Sequence, residues 1–112
     1  MSDLILDMQA LTKKLNTAVL SLRKTGTEFA EAERAYKILF RQEALKLRDG
    51  GMPVTLIDKI VYGIPEVADA RFDRDVKEAS YKANLEAINV YKLQVRILDN
   101  QIAREWGTPQ ST

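Results

Sequence analysis

The chain has 112 residues, no Cys, no His, one Trp, 29% charged and 46% hydrophobic side chains, a composition that points to a single soluble domain over residues 1–112. Seventeen basic residues oppose sixteen acidic ones, so the net charge of +1 provides no global attraction to nucleic acid or to an anionic membrane. Without Cys or His the sequence excludes a disulfide framework, a zinc finger, Ser-His and Cys-His nucleophile pairs, a metalloprotease helix and a di-iron Glu-x-x-His site, and no cofactor is expected.

Apolar residues in the first stretch fall at Leu4, Met8, Leu11, Leu15, Ala18, Val19, Leu22, Phe29, Tyr36, Leu39, Phe40 and Leu47. Spacings of three and four predict a helix over 3–48. Ser2 or Asp3 is placed to cap its start, Lys46 and Arg48 suit its last turn, and Gly50 is expected at the left-handed position after it. Thr25-Gly26-Thr27-Glu28 is a capping-box pattern that opens an alternative: a break at Gly26 and a monomeric three-helix fold. Gly26 shares the face of Leu22 and Phe29, however, so the period passes through it, and a continuous helix is expected at a cost of about 1 kcal/mol for the glycine.

Asp49-Gly50-Gly51-Met52-Pro53-Val54 forms a connection. A short helix is predicted over 55–62, capped by Thr55, ended by Gly63, and apolar along Leu56, Ile57, Ile60 and Val61. So apolar a two-turn helix must cover something, and the end of a helical hairpin is the expected place. Pro65 then takes the first turn of a helix over 65–106, with Glu66 and Asp69 where the helix dipole favours acids. That helix carries two stripes, one of Phe72, Val76, Ala79, Ala83, Ala87, Val90 and Ile97, the other of Tyr81, Leu85, Ile88, Val95, Leu98 and Ile102. The small, polar tail 107–112 is expected to fray.

The expected fold is therefore all-α: a long antiparallel helical hairpin with a short helix in its turn, each long helix spanning on the order of 60 Å. One hairpin buries one stripe, so the second predicts a homo-oligomer, a dimer or higher, forming a four-helix-type bundle in which Ala79, Ala83 and Ala87 admit bulky Tyr36 and Phe40. No apolar run approaches the roughly 18 to 20 residues of a membrane span, and the opening residues lack a basic targeting region, so a cytoplasmic location without membrane contact is expected.

Glu28-x-x-Glu31 and Glu66-x-x-Asp69 resemble, in that order, the magnesium-binding signature of all-α nucleoside triphosphate pyrophosphatases, in which paired carboxylates grip magnesium and a triphosphate. Helical phase opposes this reading: with Phe29, Tyr36 and Phe40 inward, Glu31 points outward and Glu28 sideways, while Asp69 flanks the inner face and Glu66 does not. No catalytic residue is assigned and the chain is expected not to be an enzyme.

Arg34, Lys37, Arg41 and Arg48 make the second half of the first helix basic and are the candidate nucleic-acid contacts. Acids from Glu66 to Glu78 on the last helix are the alternative partners for that charge. Since Tyr36 and Phe40 belong to the core face, they are not free to stack on bases. A cluster of Lys59, Tyr62, Arg71 and Arg74 near the start of the last helix is a candidate for a small anion, with pairing to acidic neighbours the expected alternative. Met52, Leu56, Lys59 and Tyr62, around the turn from Gly50 to Gly63, are the candidate contacts for a protein partner.

Ala30-Glu31-Ala32-Glu33-Arg34-Ala35-Tyr36, Leu47 to Thr55, and Glu78 to Ile88 resemble a group of short helical proteins from phages and prophages of Gram-positive bacteria. The resemblance implies a phage accessory protein in the host cell cytoplasm, of a kind sometimes found among recombination and replication genes, and carries no functional residue with it. Together these readings favour a non-enzymatic protein that binds a phage or host protein, with a nucleic-acid-associated accessory role as the alternative.

Overall fold

The computed structural model describes residues 2–107, with Ser2 placed by its backbone alone. Beyond Gly107 the expected frayed tail lies outside the described residues, as does any capping by the Ser2 side chain. Three helices follow in order, α1 (Ser2–Asp49), α2 (Val54–Val61) and α3 (Pro65–Trp106), with no strand among the described residues. None of these helices is long and apolar enough to cross a membrane.

Helix α1 runs unbroken through Gly26, so the first stretch does not break there and fold back on itself. Its end is a Schellman motif: the Met52 amide donates to the Leu47 carbonyl and the Gly51 amide to the Arg48 carbonyl, both at 3.0 Å. The left-handed residue is Gly51, at φ 89°, rather than Gly50, whose amide still donates to Lys46 as the helix would. Leu47 and Met52, joined by the wider of the two turns, both pack onto the core.

Pro53, and not Thr55, stands at the start of α2, and no side chain caps this helix. Proline fixes its own φ and its carbonyl accepts the Leu56 amide at 3.0 Å, so α2 starts one residue early and Thr55 falls inside it. Gly63 ends α2 without a left-handed residue. Tyr62 stays right-handed, and three-residue turns from Gly63 to Ile60 and from Ile64 to Val61 lead directly into α3 at Pro65.

The chain divides into two compact units, one made of the residues up to Lys24 with those from Lys82 onward, the other of Thr25–Tyr81. In the Thr25–Tyr81 unit the core gathers Tyr36, Ile57, Val61 and Val67, and both valines are fully buried. Each is worth roughly 1.5–3 kcal/mol in transfer free energy. Helix α2 contributes only Ile57 and Val61 to it; Leu56 and Ile60, expected on the same face, stay 45% and 39% exposed. With 100° between successive residues, an eight-residue helix cannot turn both pairs onto one surface equally.

In the other unit, Leu4, Met8, Leu11, Leu15, Ala18 and Leu22 of α1 are half-buried against α3, where Ile88 and Leu98 are buried and Tyr91, Val95 and Ile102 half-buried. Asn84 lies in this row and donates its side-chain amide to the Ala18 carbonyl at 2.9 Å. In both units α1 and α3 run antiparallel.

Of the two stripes on α3, the one from Tyr81 to Ile102 is thus the packed one, except that Leu85 stays 36% exposed and Asn84 takes its place in the row. The other is exposed: Phe72 by 70%, Val76 by 45%, Val90 by 42%, Ile97 by 56%, together with Ala79, Ala83 and Leu93. On that side Ala79 and Ala83 are exposed and Ala87 is half-buried, while Tyr36 and Phe40 are engaged within their own unit by α2 and by the start of α3.

Candidate functional site

An aromatic row within the Thr25–Tyr81 unit links α1 to the end of α2. Tyr36 and Phe40, one helical turn apart, meet edge to face with centroids 6.1 Å apart, and Phe40 meets Tyr62 at 5.0 Å. Two arginines of α3 cover the outer members: the Arg74 guanidinium lies 5.0 Å from the Tyr36 ring centre, that of Arg71 5.3 Å from Tyr62. Such stacking is worth about 0.5–1 kcal/mol at a partly exposed site. Arg74 also meets the Asp75 carboxylate at 2.9 Å. The supposed anion cluster is therefore taken up largely by its own aromatic neighbours.

Beside this row α1 and α2 enclose a groove of about 560 Å³. Its floor is Tyr36, Phe40, Ala44 and Ile57; Leu45, Val54 and Tyr62 form its walls. Val54 is 73% exposed, a large apolar side chain held at the start of a helix with nothing over it. Lys37, Arg41 and Arg48 line one side from α1, opposed by the single acid Asp58 of α2. Lys37 shares its charge with Glu33 at 3.7 Å across one helical turn.

The structure thus brings together two groups of residues that sequence reasoning kept apart. Tyr62, a candidate partner contact, shares the groove with Lys37, Arg41 and Arg48, candidates for nucleic acid. Arg34 is exposed but lies outside the lining, as do Leu56 and Lys59 on α2. Met52 packs into the core as the closing residue of the Schellman motif and is no free contact. Phe40, Val54 and Ile57 were missed as site residues because the site depends on the path of α2 across α1, which no local pattern specifies. The one usable signal is the row Lys37, Arg41 and Arg48, at spacings of four and seven beside the apolar row Tyr36, Phe40 and Ala44.

The acidic motifs are not brought together. Phe29 stacks on Tyr81 at 6.0 Å, which sets Glu28 level with that part of α3, whereas Glu66 lies fifteen residues earlier on the same helix, about 22 Å away. Glu31, Glu66 and Asp69 are exposed, and among the described residues no three acidic groups converge where a metal ion would sit. The described ion pairs Lys37–Glu33, Lys46–Glu43, Arg74–Asp75 and Lys77–Asp73 each join neighbours on one helix. No family model matches the chain, and neither a curated protein nor a solved structure is significantly similar to it.

Proposed function

We propose that the chain is a non-enzymatic interaction protein that docks an apolar, acidic helical segment of a protein partner in the groove between α1 and α2. The observation that carries this reading is the groove itself: aromatic and aliphatic walls, an uncovered Val54, and three cations against one acid. Its volume lies in the range of pockets that hold a few side chains. An amphipathic helix laid in a groove presents anchors at such spacings, and acids on its polar face would meet Lys37, Arg41 and Arg48. The resemblance to phage and prophage helical proteins makes the partner a phage or host protein, met in the host cytoplasm. In this reading the chain works as a homo-oligomeric helical bundle.

A nucleic-acid accessory role draws on the same three cations. The apolar floor and Asp58 oppose it, since a phosphate backbone rewards charge and not aliphatic surface. A panel of synthetic amphipathic helices with acidic, neutral and basic polar faces, titrated by fluorescence anisotropy beside duplex DNA, separates the two. Binding of the acidic helices, weakened about tenfold or more by Arg41→Glu and by Val54→Asp, is the expected result. Equal affinity for all three helices, or salt-sensitive DNA binding insensitive to Val54→Asp, overturns the proposal.

A further inference from the structure

The exposed stripe of α3 repeats at alternating steps of three and four residues from Phe72 to Ile97, interrupted by a polar side chain only at Glu86. It lies about 150° around the helix from the row packed on α1. Sustained heptad spacing specifies that whatever covers such a face is another helix, running nearly parallel or antiparallel to it. From this geometry we infer that α3 pairs with α3 of a second copy of the chain, antiparallel, about a two-fold axis between residues 84 and 85. The inference rests on the homo-oligomeric part of the reading above, supplies its surface and register, and is independent of the groove.

The argument for a second copy is that the stripe is complementary to itself. An axis at that point sets each residue against the one whose number completes 169. Phe72 then meets Ile97 of the other copy, Val76 meets Leu93, Ala79 meets Val90, and Ala83 meets Glu86. Every position of the stripe finds a position of the stripe, as an isologous two-fold contact requires. Small residues face larger ones near the axis, and Ala83 leaves room for the Glu86 carboxylate to bend towards water. The stripe ends at Asp69 on one side and Asn100 on the other, and the same axis sets these two polar positions against each other.

Charge supports the same arrangement. In an antiparallel pair, flanking positions of one type meet their own kind on the partner helix, which sets Asp75 beside Arg96 of the other copy, twice. Both side chains are exposed, and the Asp75 carboxylate, which meets Arg74 of its own helix at 2.9 Å, would be shared with Arg96 of the other copy. Parallel pairing would instead stack Phe72 on itself and bring two Glu86 carboxylates together in the seam, a like-charge contact without compensation.

Light scattering on the full-length chain is expected to return twice the 12.7 kDa monomer mass. Leu93→Asp, at an exposed position, is expected to return the monomer mass with unchanged far-ultraviolet circular dichroism. Because the chain has no cysteine, orientation follows from engineered ones. Ala79→Cys with Val90→Cys in one chain is expected to cross-link two copies under oxidation. Val90→Cys alone is expected not to, its two copies lying about 16 Å apart, too far for a disulfide. Asp75→Arg is expected to weaken the dimer about tenfold, and adding Arg96→Asp to restore it. A monomeric wild type overturns this inference together with the homo-oligomeric reading. A dimer that Val90→Cys alone cross-links, or that survives Leu93→Asp, overturns the antiparallel seam and leaves the homo-oligomer standing.

Discussion

Gly26 of α1 and Tyr81 of α3 are in direct apposition: a Cβ built on the glycine would lie 3.2 Å from Cε1 of the tyrosine ring. The ring also stacks on Phe29 with centroids 6.0 Å apart, so it is held from two sides. A glycine that costs a helix interior about 1 kcal/mol is here the residue that lets an aromatic side chain of the facing helix come close. Gly26→Ala should therefore gain less than the usual propensity difference, and Gly26→Leu should lose about 1–3 kcal/mol through overpacking. In a Tyr81→Ala background Gly26→Ala should regain the full gain of about 1 kcal/mol, a coupling that urea unfolding of the four species measures directly.

Gly50 and Gly51 look equivalent in the sequence and are not. Gly51 sits at φ 89° and donates the closing bond to Arg48, while a side chain on Gly50 would make only ordinary contacts at 3.5 Å. Gly51→Ala should cost about 1–2 kcal/mol, the left-handed penalty of a residue with a Cβ, and Gly50→Ala should be close to neutral. Equal effects of the two in thermal unfolding would contradict the Schellman assignment.

Within α2, burial separates residues that the apolar pattern treats alike. Val61 is fully buried, so Val61→Ala should cost about 2–3 kcal/mol from lost transfer energy and the cavity left behind. Leu56, 45% exposed, should tolerate alanine within about 0.5 kcal/mol. Chemical denaturation of both variants checks the difference, and a Leu56 effect as large as that of Val61 would place α2 in the wrong rotation.

What the residues alone disclose follows from how local each feature is. The existence, order and approximate limits of the helices rest on period and on Gly and Pro placement, and these were legible: α3 starts at Pro65 and ends at Trp106 as its pattern requires. Which stripe of α3 faces α1 was not, since both have helical spacing and the choice depends on what α1 offers opposite them. Asn84 shows why: a polar residue inside the packed row breaks the apolar pattern, yet it is satisfied by the Ala18 carbonyl across the interface. At the groove, the cationic row was legible and the apolar half was not, because Val54 and Ile57 arrive there through the Schellman turn.

The Asn84 contact leads to a prediction with a pH signature. Its amide donates at 2.9 Å to the Ala18 carbonyl, an acceptor that needs a donor opposite it. Asn84→Asp places an acceptor against an acceptor at neutral pH and should cost about 1–3 kcal/mol, more than Asn84→Ala. Only the protonated carboxyl can donate to Ala18, so the folded state should hold that proton more tightly than the unfolded chain and raise the aspartate above its ordinary value of about 3.9. A group raised on folding contributes stability below its unfolded value and loses it as the pH climbs through the folded one. Asn84→Asp should accordingly approach the stability of the parent chain as the pH falls towards about 4, while Asn84→Ala keeps a constant deficit. Urea unfolding of the three proteins between about pH 4 and 7 reads this difference. If the gap between Asn84→Asp and the parent stays constant across that range, the Asn84 amide is not the donor that joins α3 to α1 at Ala18.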